Sequence, residues 1–206
     1  SAVPVLVKST EANEIAVGLS RQGIALLAFT PHIIFRGPLL SLTAKQSLQL
    51  VIIGRVFGLH WLTYFMSIKL ATAAIAALTI ITYSGQYLVL AYFFNGERVT
   101  APEWLAIITC FVGCVIVSPE LSLGNSTSLG IAIGLLSALL YAAMPLLHQR
   151  ARVIGTLERT WGQFFFALLI FLPFWGKANW DLTSKDVYQL LVLGLLCSFV
   201  AHGLWV

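Results

Sequence analysis

From Ala71 to Phe94 the chain carries no charged residue, and a run of that length crosses a hydrocarbon core of ~30 Å when wound into a helix. Soluble core helices are rarely so continuously apolar. Similar runs, bounded by charges and turn residues, predict further spans at about Ile15–Phe35, Leu48–Ile68, Trp104–Ser118, Leu129–Leu147, Thr160–Trp175 and Val187–Val206. With Ala71–Phe94 and a short stub at the start, these make an all-α, polytopic membrane protein. The Trp104 and Thr160 runs are short for a full crossing, so they are expected to extend into flanking polar residues or to lie tilted beneath neighbours. Charged residues make up only 10% of the chain and the mean hydropathy is +0.90, whereas a soluble domain carries about a quarter charged residues. The 12 basic residues are scattered among apolar runs, so the net charge of +4 forms no stripe for nucleic acid.

Helix starts are written locally. Thr100-Ala-Pro-Glu103 places a capping residue, a first-turn proline and a closing glutamate in order, after an Asn95-Gly96 turn. Thr43-Ala-Lys-Gln46 repeats the capping pattern. Ser/Asn/Gly-rich Ser122–Ser128 is the longest neutral connector, and the segments on its two sides resemble one another. Ala25-Leu-Leu-Ala-Phe-Thr-Pro31 matches Ala167-Leu-Leu-Ile-Phe-Leu-Pro173, and Phe57-Gly-Leu-His60 matches Phe199-Val-Ala-His202, both at 167 − 25 = 202 − 60 = 142. Ala2-Val-Pro4 pairs with Ala143-Met-Pro145 at 143 − 2 = 141, and Gln49–Gly54 with Gln189–Gly194 at 189 − 49 = 140. A unit of five helices, an odd number, is inverted in the membrane when it recurs. The division is 1–119 as a first repeat with its opening helix truncated, 120–128 as connector, and 129–206 as a second repeat lacking its last two helices. The chain is then expected to be a fragment of a ten-helix fold made of two inverted five-helix repeats. Arg36, Lys45, Arg98, Arg150, Arg152 and Arg159 share one side, and Lys8, Lys69, Lys177 and Lys185 the other, which puts the arginine-rich side in the cytoplasm.

At His60-Trp-Leu-Thr-Tyr-Phe-Met-Ser-Ile-Lys-Leu-Ala-Thr72 running into Ala73-Ala-Ile-Ala-Ala77, and at Phe94-Asn-Gly-Glu97-Arg98 followed by Trp104 and Gly113, the sequence resembles the EamA-type transporters of the drug/metabolite transporter superfamily. Leu193-Gly-Leu-Leu-Cys-Ser-Phe-Val-Ala-His202 is similar to the family's eighth helix. The resemblance implies a ten-helix carrier of small metabolites or drug-like solutes. Ser84-Gly85 stands where many members carry a proline in the fourth helix, so a proline kink is not expected there.

Ionisable groups within a span are costly, of order 3 kcal/mol on insertion scales, and mark functional candidates. Arg21 lies two turns into its helix on the face of Glu14, which admits an internal ion pair or snorkelling as well as a ligand role. Arg55 stands beside Gly54 and Gly58, a pair that permits close helix packing. His60 and Tyr64 share a face one turn apart, while Trp61, near Lys69, is expected in an interfacial belt. Gln163 occupies the repeat position of Arg21, and Tyr141 shares a face with Gly134, Ser137 and Ala138. Hydrogen bonding between helices accounts for these two as well as substrate contact does. His60 and His202 occupy matching settings and could face one cavity, as substrate contacts or as carriers of a coupling proton. The substrate-binding candidates are therefore Arg21, Arg55, His60, Tyr64, Tyr141, Gln163 and His202.

All eight acidic residues fall at or near helix ends, leaving no carboxylate to carry a coupling proton. No HExxH or Gly-x-Ser-x-Gly pattern is present, and the three cysteines form no CxxC. A catalytic residue, a metal site and a cofactor are not expected. The function read from these features is a secondary transporter working by alternating access, with a membrane scaffold subunit, or an intramembrane hydrolase using Ser84, as alternatives. Its partners are a small-molecule substrate and the lipid bilayer, with no nucleic acid and a homodimer left open. A multi-pass position in a cell membrane, the bacterial inner membrane, is expected.

Overall fold

The computed structural model describes residues 2–36, 42–117 and 125–201. The chain runs through α1 (Val3–Ser9), α2 (Glu14–Arg36), α3 (Ala44–Leu70), α4 (Ala73–Ile81), α5 (Tyr83–Asn95), α6 (Ala101–Val117), α7 (Ser126–Arg150), α8 (Thr156–Phe171) and α9 (Ser184–Gly194). A 3-10 turn, Leu172–Lys177, follows α8, and a π-helical segment, Leu195–Val200, extends α9. The described residues contain no strand. Three stretches, Ala44–Leu70, Ala73–Asn95 and Ser126–Arg150, are long and apolar enough to cross a membrane by length and composition.

Most of the expected starts and stops are made by the residues that signalled them. Thr43 and Gln46 form a reciprocal capping box on α3, Glu103 accepts from the Thr100 N–H and hydroxyl, and Gly96 closes α5 in the left-handed conformation, φ 69°. Two boundaries differ. The Ala71–Phe94 span is two helices, broken at Thr82, whose N–H and hydroxyl both bond back to the Thr79 carbonyl. The tight turn supplies without proline the interruption that Ser84-Gly85 argued against. The Thr160 span ends early, because Pro173 cannot continue the α pattern and the chain tightens into the 3-10 turn. Of the alanines in Ala73–Ala77, only Ala76 is fully buried and Ala74 is exposed.

Helix directions follow from which residues touch. Helices α2 and α8 run antiparallel, Gly18 meeting Phe171 and Thr30 accepting a bond from Trp161. Helices α3 and α7 are also antiparallel, with Gln49 against Arg150 and Ala71 against Gly130. Helix α3 runs parallel to α8, and α2 parallel to the last helix. The contacts recur at the offsets found in the sequence. Gly54 abuts Phe166 while Gly194 abuts Ile24, with 194 − 54 = 140 and 166 − 24 = 142. The Gln49 amide donates to the Arg150 carbonyl at 2.9 Å, and the Gln189 amide to the Ser9 hydroxyl at 2.8 Å. A second capping box, Thr183 with Asp186, starts α9 as Thr43 with Gln46 starts α3.

One end of the bundle is closed by bonds between the halves. The Asp186 carboxylate accepts from the Thr10 hydroxyl and Glu11 N–H on one oxygen, and from the Thr183 hydroxyl and N–H on the other. Lys69 donates to the Thr10 carbonyl, and Asn13 to that of Lys177. The Thr183 hydroxyl, the Glu11 N–H and the Thr10 hydroxyl hold the Asp186 carboxyl well below the usual carboxylate range. A depressed carboxyl adds stability above its unfolded value, about 3.9, and loses it as pH falls toward the folded value. Asp186→Asn should therefore unfold in detergent at a lower temperature than the wild type at pH 7. The gap should narrow below about pH 4; a gap independent of pH would remove the carboxylate from this role.

Candidate functional site

Small residues let α3 approach its neighbours and thereby bring its polar face into the interior. A Cβ on Gly54 would lie 2.3 Å from that of Phe166, and one on Gly134 would lie 2.7 Å from the Ser67 hydroxyl. The face of α3 between these contacts carries His60, Trp61 and Tyr64, all buried. Opposite it, α2 supplies Arg21, whose side chain is only 1% exposed.

The guanidinium of Arg21 crosses to the last helix rather than pairing with Glu14. Its Nε donates to the Ser198 hydroxyl and its Nη2 to the Cys197 carbonyl at 3.1 Å. Ser198 in turn donates to the Leu193 carbonyl, five residues back, in the π segment. The planar group stacks over Trp61 with its carbon 3.5 Å from the ring centroid, a cation–π arrangement. Its remaining terminal nitrogen, Nη1, has no partner, and neither does Trp61 Nε1. Trp61 is thus part of the interior, not of an interfacial belt. Its eight residues of separation from Lys69 amount to about 12 Å along a helix, deeper than an interface residue sits.

His60 continues the cluster. Its Nδ1 lies 3.0 Å from the Ser137 carbonyl, and the Ser137 hydroxyl donates to the His60 carbonyl at 2.9 Å. The imidazole is stacked by Tyr141, at 4.8 Å and 27°, and by Tyr64, at 6.0 Å and 15°. Tyr83 meets the edge of Tyr141, so rings from α3, α5 and α7 form a continuous wall leading to Arg21. Four of the seven candidates, Arg21, His60, Tyr64 and Tyr141, are brought together. Gln163 is buried elsewhere, paired with His148 Nε2 at 2.8 Å. Arg55 is exposed: the glycines beside it face α8, and the helical turn then carries its side chain outward. His202 lies outside the described residues.

Sequence reasoning passed over Ser137, Ser198 and His148, whose partners are 77, 177 and 15 residues away. It also passed over Gln22, fully buried with neither amide atom partnered; its signal was a second polar residue beside Arg21 inside an apolar run. A cleft of about 450 Å³ between α5, α6 and α7 is apolar, lined by Gly85, Gln86, Phe111 and Leu135 among others. None of the polar cluster lines it.

A solved crystal structure superposes on this chain with a TM-score of 0.67 at 15% identity, covering 99% of this chain and 72% of that one. It shows that the arrangement of helices is a known fold. No curated protein matches the sequence significantly. The model of the EamA-like transporter family, a family of multi-pass membrane transporters, matches residues 1–118. With more than half of its length matched, the chain belongs to the EamA-like transporter family.

Proposed function

We propose that this protein is a secondary carrier that moves a small metabolite or drug-like solute by alternating access, its two halves acting as inverted repeats on either side of the 120–128 connector. The observation that carries the reading is Arg21, a charged side chain sealed between the halves with no carboxylate beside it. A buried charge without an ionic partner is costly and marks a functional position. Arg21, His60, Tyr64 and Tyr141 form the solute site. The recurring contacts support the repeat, because a two-fold axis in the membrane plane makes equivalent helices antiparallel, as α2 and α8 are. A scaffold subunit has no use for such a cluster. The bacterial inner membrane is the proposed location.

The test is counterflow in proteoliposomes holding the full-length protein, across a panel of radiolabelled amino acids, nucleosides, organic acids and drugs. At least one solute should exchange faster than in empty liposomes, and none doing so would end the carrier reading. For that solute, Tyr141→Ala should raise KM by roughly three- to tenfold, the worth of one stacked ring. An unchanged KM would take Tyr141 out of the site.

A further inference from the structure

We propose that Arg21 Nη1 and Trp61 Nε1 together form an anion-binding pair that takes the carboxylate of a small organic solute with an apolar body. The inference rests on the carrier reading and adds the charge and shape of the cargo. Both atoms are hydrogen-bond donors, both are buried, and neither has a partner. They belong to side chains in direct contact, the guanidinium lying over the indole face. Unsatisfied buried donors are rare in folded proteins, and two on touching side chains call for a shared acceptor. A guanidinium is always protonated and can only donate, as can an indole N–H.

The partners Arg21 does have, the Ser198 hydroxyl and the Cys197 carbonyl, are neutral. They orient the group without cancelling its charge. The acidic residues of the chain sit at or near helix ends, and Asp186 is committed to Thr10, Glu11 and Thr183. The missing charge must therefore be brought in. A carboxylate offers two acceptor oxygens, which one terminal guanidinium N–H and the indole N–H can share. The surrounding side chains decide the rest of the molecule: Phe65 lies 5.9 Å from the guanidinium, and Phe57 and Tyr64 pack edge-on to Trp61. Such walls accept an apolar or aromatic body and offer little to the further charges of an inorganic phosphate.

The test uses the purified full-length protein in detergent, its melting temperature followed with benzoate, benzamide and inorganic phosphate. Benzoate should raise the melting temperature in proportion to the logarithm of its concentration, benzamide and phosphate much less. Arg21→Met should abolish the benzoate response while leaving the ligand-free melting temperature equal to or above that of the wild type, because it removes an uncompensated buried charge. Trp61→Phe keeps the ring and deletes only the N–H. It should weaken benzoate by roughly tenfold. The proposal is overturned if benzoate stabilises the wild type no more than benzamide does, if phosphate is the better ligand, or if both variants respond to benzoate like the wild type. Counterflow of a neutral or cationic solute by a protein that ignores benzoate would sink the anion pair and leave the carrier reading standing. Benzoate binding in a protein that exchanges no solute would do the reverse.

Discussion

Gly54→Val is expected to keep the chain from reaching its folded state in the membrane. The Cβ of any side chain here would stand 2.3 Å from the Cβ of Phe166 and 3.1 Å from the carbonyl oxygens of Gly162 and Gln163. None of these atoms can rotate away, since two belong to the backbone of α8 and the third is fixed to it. Relief requires α3 and α8 to separate, which would also pull Gly58 from Ala167 and Leu50 from Gly162. Overpacking of a tight contact costs about 1–3 kcal/mol and sometimes more, and separation forfeits packing that nothing in lipid replaces. The loss should be about 3 kcal/mol or greater, seen as a collapse in detergent-extractable yield. Gly23→Ala is the control: nothing lies within 4 Å of its Cβ, and alanine in a helix interior is favoured by up to about 1 kcal/mol. Wild-type yield and melting temperature for Gly54→Val would mean that the helices are not so close.

Joining Ser9 to Gln189 should stop transport altogether. The two side chains meet at 2.8 Å across the halves, at the end closed by Asp186. Alternating access demands that each end open in turn. In a protein with Cys110, Cys114 and Cys197 replaced, Ser9→Cys with Gln189→Cys should form a disulfide that reduces counterflow to the level of empty liposomes. Reductant should restore it. Replacing Cys197 is tolerable for Arg21, which uses the backbone carbonyl of that residue and not its thiol. Undiminished flux through the cross-linked protein would show that this end does not open during transport. The equivalent contact at the opposite end, Gln49 with Arg150, provides the matching lock.

Helix positions were legible because lipid removes ambiguity: a backbone that must satisfy itself leaves a charge-free run little choice. The repeat was legible for a related reason. Gln49 and Gln189, or Gly54 and Gly194, make the same contact twice and so keep the same residue type. The site was half legible. Arg21 and His60 stood out as polar residues in apolar runs, but their partners Ser198 and Ser137 are small, common and distant in the chain. Trp61 was misplaced because proximity to a lysine was weighed by sequence, whereas depth depends on rise along the helix. The break at Thr82 had no marker, since a threonine bonding its own helix looks the same in sequence as one that does not.

The π segment Leu195–Val200 has a consequence for how the cluster around Arg21 is inherited. A π turn holds one residue more than the α turn it replaces, so it behaves as an insertion carried inside a helix. Ser198 and Cys197 meet the guanidinium by virtue of that surplus residue. Loss of one codon between Leu195 and Val200 would restore a regular helix and swing every following side chain by about 100°. Hydropathy and composition would scarcely change. In this family, then, relatives of nearly identical overall character can differ in cargo through the length of one helix, and an alignment that closes single-residue gaps in membrane spans would erase the difference.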